Sequence, residues 1–101
     1  MSMSEYLQVW RVRVRESDVE RLLELEPKAI AEARQLCPDL LGADLVNLGD
    51  GPWVHVLRWS RPDGEERLMG YAERFDAVEK MHALMADGEQ IGRGEIVTGA
   101  A

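Results

Sequence analysis

The stretch of sequence that decides the fold runs from Pro38 to Ser60 and reads PDLLGADLVNLGDGPWVHVLRWS. Apolar residues alternate with others in each half, and Gly49-Asp50-Gly51-Pro52 interrupts the alternation. Two alternating segments joined by a glycine-rich turn are typical of a β-hairpin. The sequence therefore predicts two antiparallel strands, over about residues 42–48 and 52–60.

A strand and a long helix are predicted upstream of this hairpin. Alternation over residues 7–15 indicates the strand. The helix is expected to begin at Ser17, where Ser17 and Glu20 form a capping-box pattern, and to end at Pro38. Pro27 lies inside it and lacks an amide donor, which predicts a kink or a restart.

A second helical region and a last strand are predicted downstream. Helical character resumes at about Glu65, breaks near Phe75 and Asp76, and stops at Gly88, after which a strand covers about residues 92–98. The predicted order is β-α-β-β-α-β. This order indicates a single ferredoxin-like α+β domain over all 101 residues, with helices on one face of an antiparallel sheet.

The alternation also assigns side chains to the two faces of the predicted sheet. The face expected to lie under the helices is apolar and bulky, and it carries Trp10, Val12, Val14, Ala43, Leu45, Trp53, His55, Leu57, Trp59 and Ile96. The opposite face mixes apolar and charged residues, namely Val9, Arg11, Arg13, Asp44, Val46, Leu48, Val54, Val56, Arg58, Arg93, Glu95 and Val97. Because this face is too apolar to be left in water, we expect a second copy to cover it in a sheet-to-sheet homodimer.

Composition excludes several classes of partner. The net charge of −7 disfavours nucleic acid and anionic membranes. No apolar run approaches the roughly 18 residues of a membrane span, and the first residues, MSMSEY, lack the features of a signal peptide. The lone Cys37 has no intrachain disulfide partner, which is typical of a reducing compartment. We therefore expect a cytoplasmic protein.

Three motifs, together with the order of elements, carry a family resemblance. They are P-x-L-L-x-A-x-L from Pro38 to Leu45, D-G-P-W at residues 50–53 and V-L-R-W-S at residues 56–60. The chain resembles the dimeric α/β-barrel superfamily and is most similar there to the antibiotic biosynthesis monooxygenase family. The resemblance extends over about residues 9–97. It implies a barrel formed by the sheets of two copies.

The resemblance also implies a function and a site. Enzymes of this family oxygenate polycyclic, quinol-like substrates without metal or flavin, or degrade haem, in pockets between helices and sheet. By this resemblance, no cofactor is expected, and the candidate pocket residues are Trp10, Asn47, His55 and Trp59, with Tyr71 or His82 from the helices. His55 is the candidate base, because an imidazole can take a phenolic proton. Family enzymes often have Asn at this position, four residues before the strand-end Trp, so His55 is a departure.

Plainer interpretations stand beside these. Trp59 is also explained by core packing, His55 by a hydrogen-bonded core position, and Tyr71 by capping the core with its hydroxyl exposed. Glu79-x-x-His82 copies a metal-ligand spacing once, without the second copy that di-metal bundles need, so no metal site is predicted. Three functions remain open: a cofactor-independent monooxygenase, a non-catalytic dimer that binds a small ligand or serves a pathway, and a haem-binding or haem-degrading protein.

Overall fold

The computed structural model describes residues 4–49 and 51–97, which form one antiparallel sheet with helices on one face. The strands are β1 (Tyr6–Arg13), β2 (Leu40–Asn47), β3 (Trp53–Trp59) and β4 (Ala86–Glu95). The helices are α1 (Val19–Leu36), α2 (Gly64–Met69) and α3 (Ala77–Leu84), with 3₁₀ turns at Glu16–Asp18 and Ala72–Arg74. The spatial strand order β2-β3-β1-β4 is that of a ferredoxin-like fold, which confirms the predicted class.

The β2–β3 hairpin forms as its sequence predicts. Leu45 pairs with His55 and Asn47 pairs with Trp53, so the predicted face assignment holds in this region. Gly49 and Gly51 have φ angles of 95° and 135°, which glycine adopts without the steric cost of a side chain. Asp50, the predicted turn residue between them, lies outside the described residues.

The start and the continuity of α1 differ from the prediction. The 3₁₀ turn carries Ser17, and α1 begins at Val19 with no side-chain cap within the described residues. The predicted start and its capping box are therefore wrong. The helix also continues through Pro27 without a restart. Because Pro27 has no N–H, the carbonyl of Leu23 loses its usual hydrogen-bond partner. Both residues lie on the exposed side of α1, where water can satisfy that carbonyl.

Strand β4 shows the largest error in the face assignment. Arg93 pairs with Gln8 and Glu95 with Tyr6, so both side chains lie on the helix side rather than on the opposite face. The strand also ends at Glu95, before Ile96 and Val97. All of its residues are exposed, so burial of an apolar face does not set its register.

The core lies between the sheet and the helices. Its buried members are Leu22, Ala29, Ala33, Cys37, Leu40, Trp59, Leu68, Val78 and Met81. Within the described residues, no helix combines the length and the apolar character that crossing a membrane requires.

A carboxylate of α1 holds the first turn of α3. The amides of Asp76, Ala77 and Val78 donate to Glu32 at 3.0, 3.0 and 3.1 Å. Asp76 makes no side-chain cap within the described region, so the cap of α3 comes from a distant helix. Glu32 is thus part of the packing between α1 and α3 and not simply a solvated charge.

Candidate functional site

A cavity of about 370 Å³ lies between the sheet and the helices. Its apolar lining comes from both layers and consists of Trp10, Val12, Ile30, Ala33, Leu40, Leu57, Trp59, Leu68, Met69, Phe75, Val78, Met81 and Met85. The polar side chains among its described lining residues are His55, Glu65 and His82. A mainly apolar cavity with a few polar groups is typical of a site for a small organic molecule, and this volume falls in the usual range.

Aromatic side chains from both layers form much of the wall. Trp10 projects from β1, Trp59 ends β3, and Phe75 follows the second 3₁₀ turn. Trp59 is buried, and its indole N–H donates to Gln8 Oε1 at 3.1 Å. Gly64, the first residue of α2, lies so close that a Cβ there would be 2.4 Å from Trp59 Cε3. The Trp59 ring is therefore held on its polar edge and on its face.

His55 is the buried titratable side chain of the site. Parity on β3 turns it toward the helices, and 4% of its surface is exposed. Its Nε2 lies 3.5 Å from Glu26 Oε1 but has no hydrogen-bond partner among the described residues. Burial, followed by the charge of His82, lowers the pKa of His55 to about 4, against an opposing effect of Asp44. His55 is therefore neutral near pH 7, and one of its two ring nitrogens can accept a proton.

Glu26 approaches His55 from α1. Burial raises the pKa of this carboxyl, and the nearby negative charge of Asp44 raises it further. Burial thus favours the uncharged form of both Glu26 and His55. An ion pair between Glu26 and His55 would lose the solvation of both charges, and additional hydrogen bonds would be needed to offset that cost.

Glu65 and His82 supply polar groups near the exposed side of the cavity. His82 and the neighbouring Met69 are both exposed, which places them toward solvent. Partial burial of its imidazole lowers the pKa of His82, and the charge of Glu65 opposes that effect. Glu65 also accepts a hydrogen bond from Gln8 Nε2, which donates to Gln90 Oε1 at 2.8 Å as well. Gln8 therefore connects Trp59 to Glu65 through hydrogen bonds.

The structure brings some of the predicted site residues together and leaves others apart. Trp10, His55 and Trp59 line one cavity, as does His82. Asn47 and Tyr71 are not among its described lining residues. Asn47 is exposed at the end of the hairpin, where its Oδ1 accepts the Gly49 amide at 2.9 Å. Tyr71, 40% exposed, lies between α2 and the second 3₁₀ turn.

Sequence reasoning missed Gln8 and Glu26, although each leaves a recognisable signal. Gln8 shares the inward parity of Trp10 and Val12 on β1. Glu26 lies four residues after Leu22 and three before Ala29, on the buried side of α1. A polar residue on an otherwise apolar face is the signal that could have identified both.

Comparison with known proteins identifies similar folds. No protein-family model matches this chain, and no curated protein matches it. A variant of SnoaB, a cofactor-independent oxygenase from Streptomyces nogalater, is 16% identical with a TM-score of 0.66, over 99% of this chain and 97% of that one. An antibiotic biosynthesis monooxygenase is 17% identical with a TM-score of 0.63, over 94% and 99% of the two chains. A dimeric ferredoxin-like protein from an uncultured marine organism is 12% identical with a TM-score of 0.61, over 99% and 93%.

These matches cover nearly the whole of each chain at low sequence identity, so what they establish is the fold. The chain thus has the ferredoxin-like fold of antibiotic biosynthesis monooxygenase-like proteins, as its sequence indicates.

Proposed function

We propose that the chain binds a fused-ring, quinol-like phenol between its helices and its sheet and oxygenates it without metal or flavin. The observation that carries this proposal is the apolar cavity of about 370 Å³, with tryptophan walls and the buried His55 among its lining residues. The shared fold with a cofactor-independent oxygenase supports the same reaction class.

The lining suits a flat aromatic ligand. Trp10, Trp59 and Phe75 offer ring surfaces for stacked or edge-to-face contacts. The remaining lining is largely aliphatic, which favours an uncharged ring system over a charged one. A few polar side chains can orient a hydroxyl or carbonyl group of the ligand by hydrogen bonding, namely those of His55, Glu65 and His82.

The chemistry begins with a proton transfer. His55 takes the phenolic proton, which leaves an electron-rich phenolate able to react with O₂. A ring C–H para to the phenolic oxygen becomes C=O, one oxygen atom of O₂ is retained there, and the other leaves as water. The substrate itself supplies all the electrons, so this oxidation balances without a separate reductant.

The test is incubation of the purified chain with two- and three-ring phenols under ¹⁸O₂. The expected result is O₂ uptake and a quinone carrying one ¹⁸O atom, with turnover unaffected by a chelator. His55→Asn keeps a polar side chain without a titratable nitrogen and should lower turnover by about 10²–10⁴-fold. Glu24→Gln, at an exposed position of α1, is the matched control. Undiminished turnover by His55→Asn would contradict the assigned base.

A second candidate function is ligand binding without turnover. It is favoured by the lowering of the pKa of His55 to about 4 by burial, which makes this side chain a weak proton acceptor in the ligand-free protein. Quenching of tryptophan fluorescence by the phenols without O₂ uptake would support this candidate over the oxygenase. A Soret band after addition of haem would instead support the haem-binding alternative.

We propose further that a second copy covers the sheet face opposite the helices. Val9 and Val56 pair on that face and are only half-buried, while Val46 is 38% exposed. The basic Arg11 and the acidic Asp44 lie on the same face, so two copies related by a two-fold axis can match unlike charges. A similar fold belongs to a dimeric ferredoxin-like protein.

Sedimentation velocity tests this assembly. The chain is expected to sediment as a dimer at micromolar concentration, and Val56→Lys should shift it toward monomer. Leu23→Lys adds the same charge at an exposed position of α1 and should leave the dimer intact. A wild-type monomer at that concentration would contradict the proposed assembly.

A further inference from the structure

We propose that Glu26 is a positioning residue for His55, which orients the imidazole and stabilises its protonated form after it has taken a proton from a phenol in the cavity. This inference rests on the proposed function, because it concerns the proton transfer that begins the reaction.

The geometry places the two groups face to face from different elements. Glu26 is carried by α1 and His55 by β3, and Oε1 lies 3.5 Å from Nε2. The side chains are 15% and 5% exposed, so little water competes for this contact. Nε2 is buried and has no hydrogen-bond partner in the described region. A small movement of either side chain would therefore allow Nε2 to form a hydrogen bond with the Glu26 carboxyl group.

The separation is longer than a charge-assisted N–H···O bond, which is about 2.7–2.9 Å. Such contacts are often long in ligand-free enzymes and shorten when the reacting complex forms. With Nε2 facing Glu26, Nδ1 is the nitrogen that accepts the phenolic proton. The resulting imidazolium donates its Nε2–H to the Glu26 carboxylate, and the proton removed from the phenol oxygen remains on Nδ1.

The other charged groups around His55 do not duplicate this role. His82, on α3, disfavours the protonated form of His55 through its own positive charge. Asp44, on β2, favours it but lies on the opposite face of the sheet and is exposed. Glu26 combines an acidic side chain, partial burial and a position 3.5 Å from Nε2. Its loss should therefore reduce proton acceptance by His55 without changing the apolar walls.

The test uses 1-naphthol bound under anaerobic conditions at pH 7, where naphtholate is distinguished from naphthol by its absorbance. The wild-type complex is expected to contain a measurable fraction of naphtholate. Glu26→Gln, which keeps the side-chain shape, should lower the ratio of naphtholate to naphthol by about tenfold, which corresponds to one pKa unit. Glu26→Asp should give an intermediate ratio, and Glu24→Gln on the exposed side of the same helix should match wild type. Equal ratios in all four proteins, or no naphtholate in the wild-type complex, would overturn the proposal.

A ligand-free measurement separates this inference from the proposed function. By NMR at pH 5, Glu26→Gln should lower the protonated fraction of the His55 imidazole, and Glu24→Gln should not. If no phenol is oxygenated but both measurements depend on Glu26, the positioning role holds and the oxygenase assignment fails. If wild type and Glu26→Gln oxygenate the phenol with the same kcat and the same pH profile, the oxygenase assignment holds and the positioning role fails. A fall in kcat with little change in KM is the expected result.

Discussion

The two helical segments that cover the sheet differ in continuity. The first is α1, a helix of 18 residues that buries Leu22, Ala29 and Ala33. The second consists of α2 with six residues and α3 with eight, separated by a 3₁₀ turn. Only the first behaves as a continuous rod along the sheet. We call the first the continuous cover and the second the divided cover.

The cavity belongs largely to the divided cover. α1 contributes Ile30 and Ala33 to its lining. The divided cover and its flanks contribute Glu65, Leu68, Met69, Phe75, Val78, Met81, His82 and Met85. A helix interrupted twice cannot pack ridges into grooves along its whole length, so space remains beneath it. Both covers contribute to the buried core, and the divided cover supplies most of the helical lining of the cavity.

The same truncation in both covers should give the largest difference. Leu22→Ala in α1 removes a side chain that is 0% exposed and should lower the free energy of unfolding by about 2–5 kcal/mol. Leu68→Ala in α2 enlarges an existing cavity and should cost about 2 kcal/mol or less, which is the transfer contribution alone. Urea denaturation measures both values. Equal losses would mean that the divided cover packs as tightly as the continuous one.

His55, which lies beneath the helices and faces Glu26 of α1, makes stability depend on pH. Its pKa falls from 6.5 in the unfolded chain to about 4 in the folded protein, so the unfolded state binds more protons between these values. The free energy of unfolding should therefore decrease as pH falls from about 6.5 to about 4, by on the order of 3 kcal/mol. His55→Asn should remove this segment of the pH profile. A wild-type profile that is flat over this range would show that His55 is not buried in solution.

The contact between α2 and Trp59 tests how closely the divided cover meets the sheet. A Cβ at Gly64 would lie 2.4 Å from Trp59 Cε3, so Gly64→Ala should force one of them to move. Overpacking of this kind costs about 1–3 kcal/mol and should also change the near-ultraviolet circular dichroism of the tryptophans. Gly92→Ala, which has no atom within 4 Å of the added Cβ, is the control and should have little effect. If both variants match wild type, α2 is mobile enough to accommodate the methyl group.

The fold was more predictable than the site because the spacing of apolar residues indicates which side of an element is buried, and it does not indicate which polar side chains meet. Alternation on β1 and β3 correctly turned Trp10, His55 and Trp59 toward the helices, since a buried face fixes parity. The same reasoning failed on β4, where exposure removes that constraint. It also could not identify Glu26, because pairing across α1 and β3 depends on three-dimensional packing that a local pattern does not contain.

Glu32 joins the two covers and should give the smallest of these effects. Its carboxylate accepts three amide hydrogen bonds at the start of α3, and these lower its pKa, against a burial effect that raises it. Glu32→Ala should lower the free energy of unfolding by about 1 kcal/mol, as for the loss of a helix cap, whereas Glu24→Ala at an exposed position should not.

Because the folded pKa of Glu32 lies below its ordinary value of 4.5, the stabilisation is present above about pH 4.5 and is lost as pH falls through the folded pKa. This window lies below most of the His55 window, so denaturation of Glu32→Ala at pH 7 and at pH 3.5 separates the two groups. The difference from wild type should shrink at the lower pH. A difference that stays constant would mean that Glu32 supports α3 through its packing and its hydrogen bonds rather than through its charge.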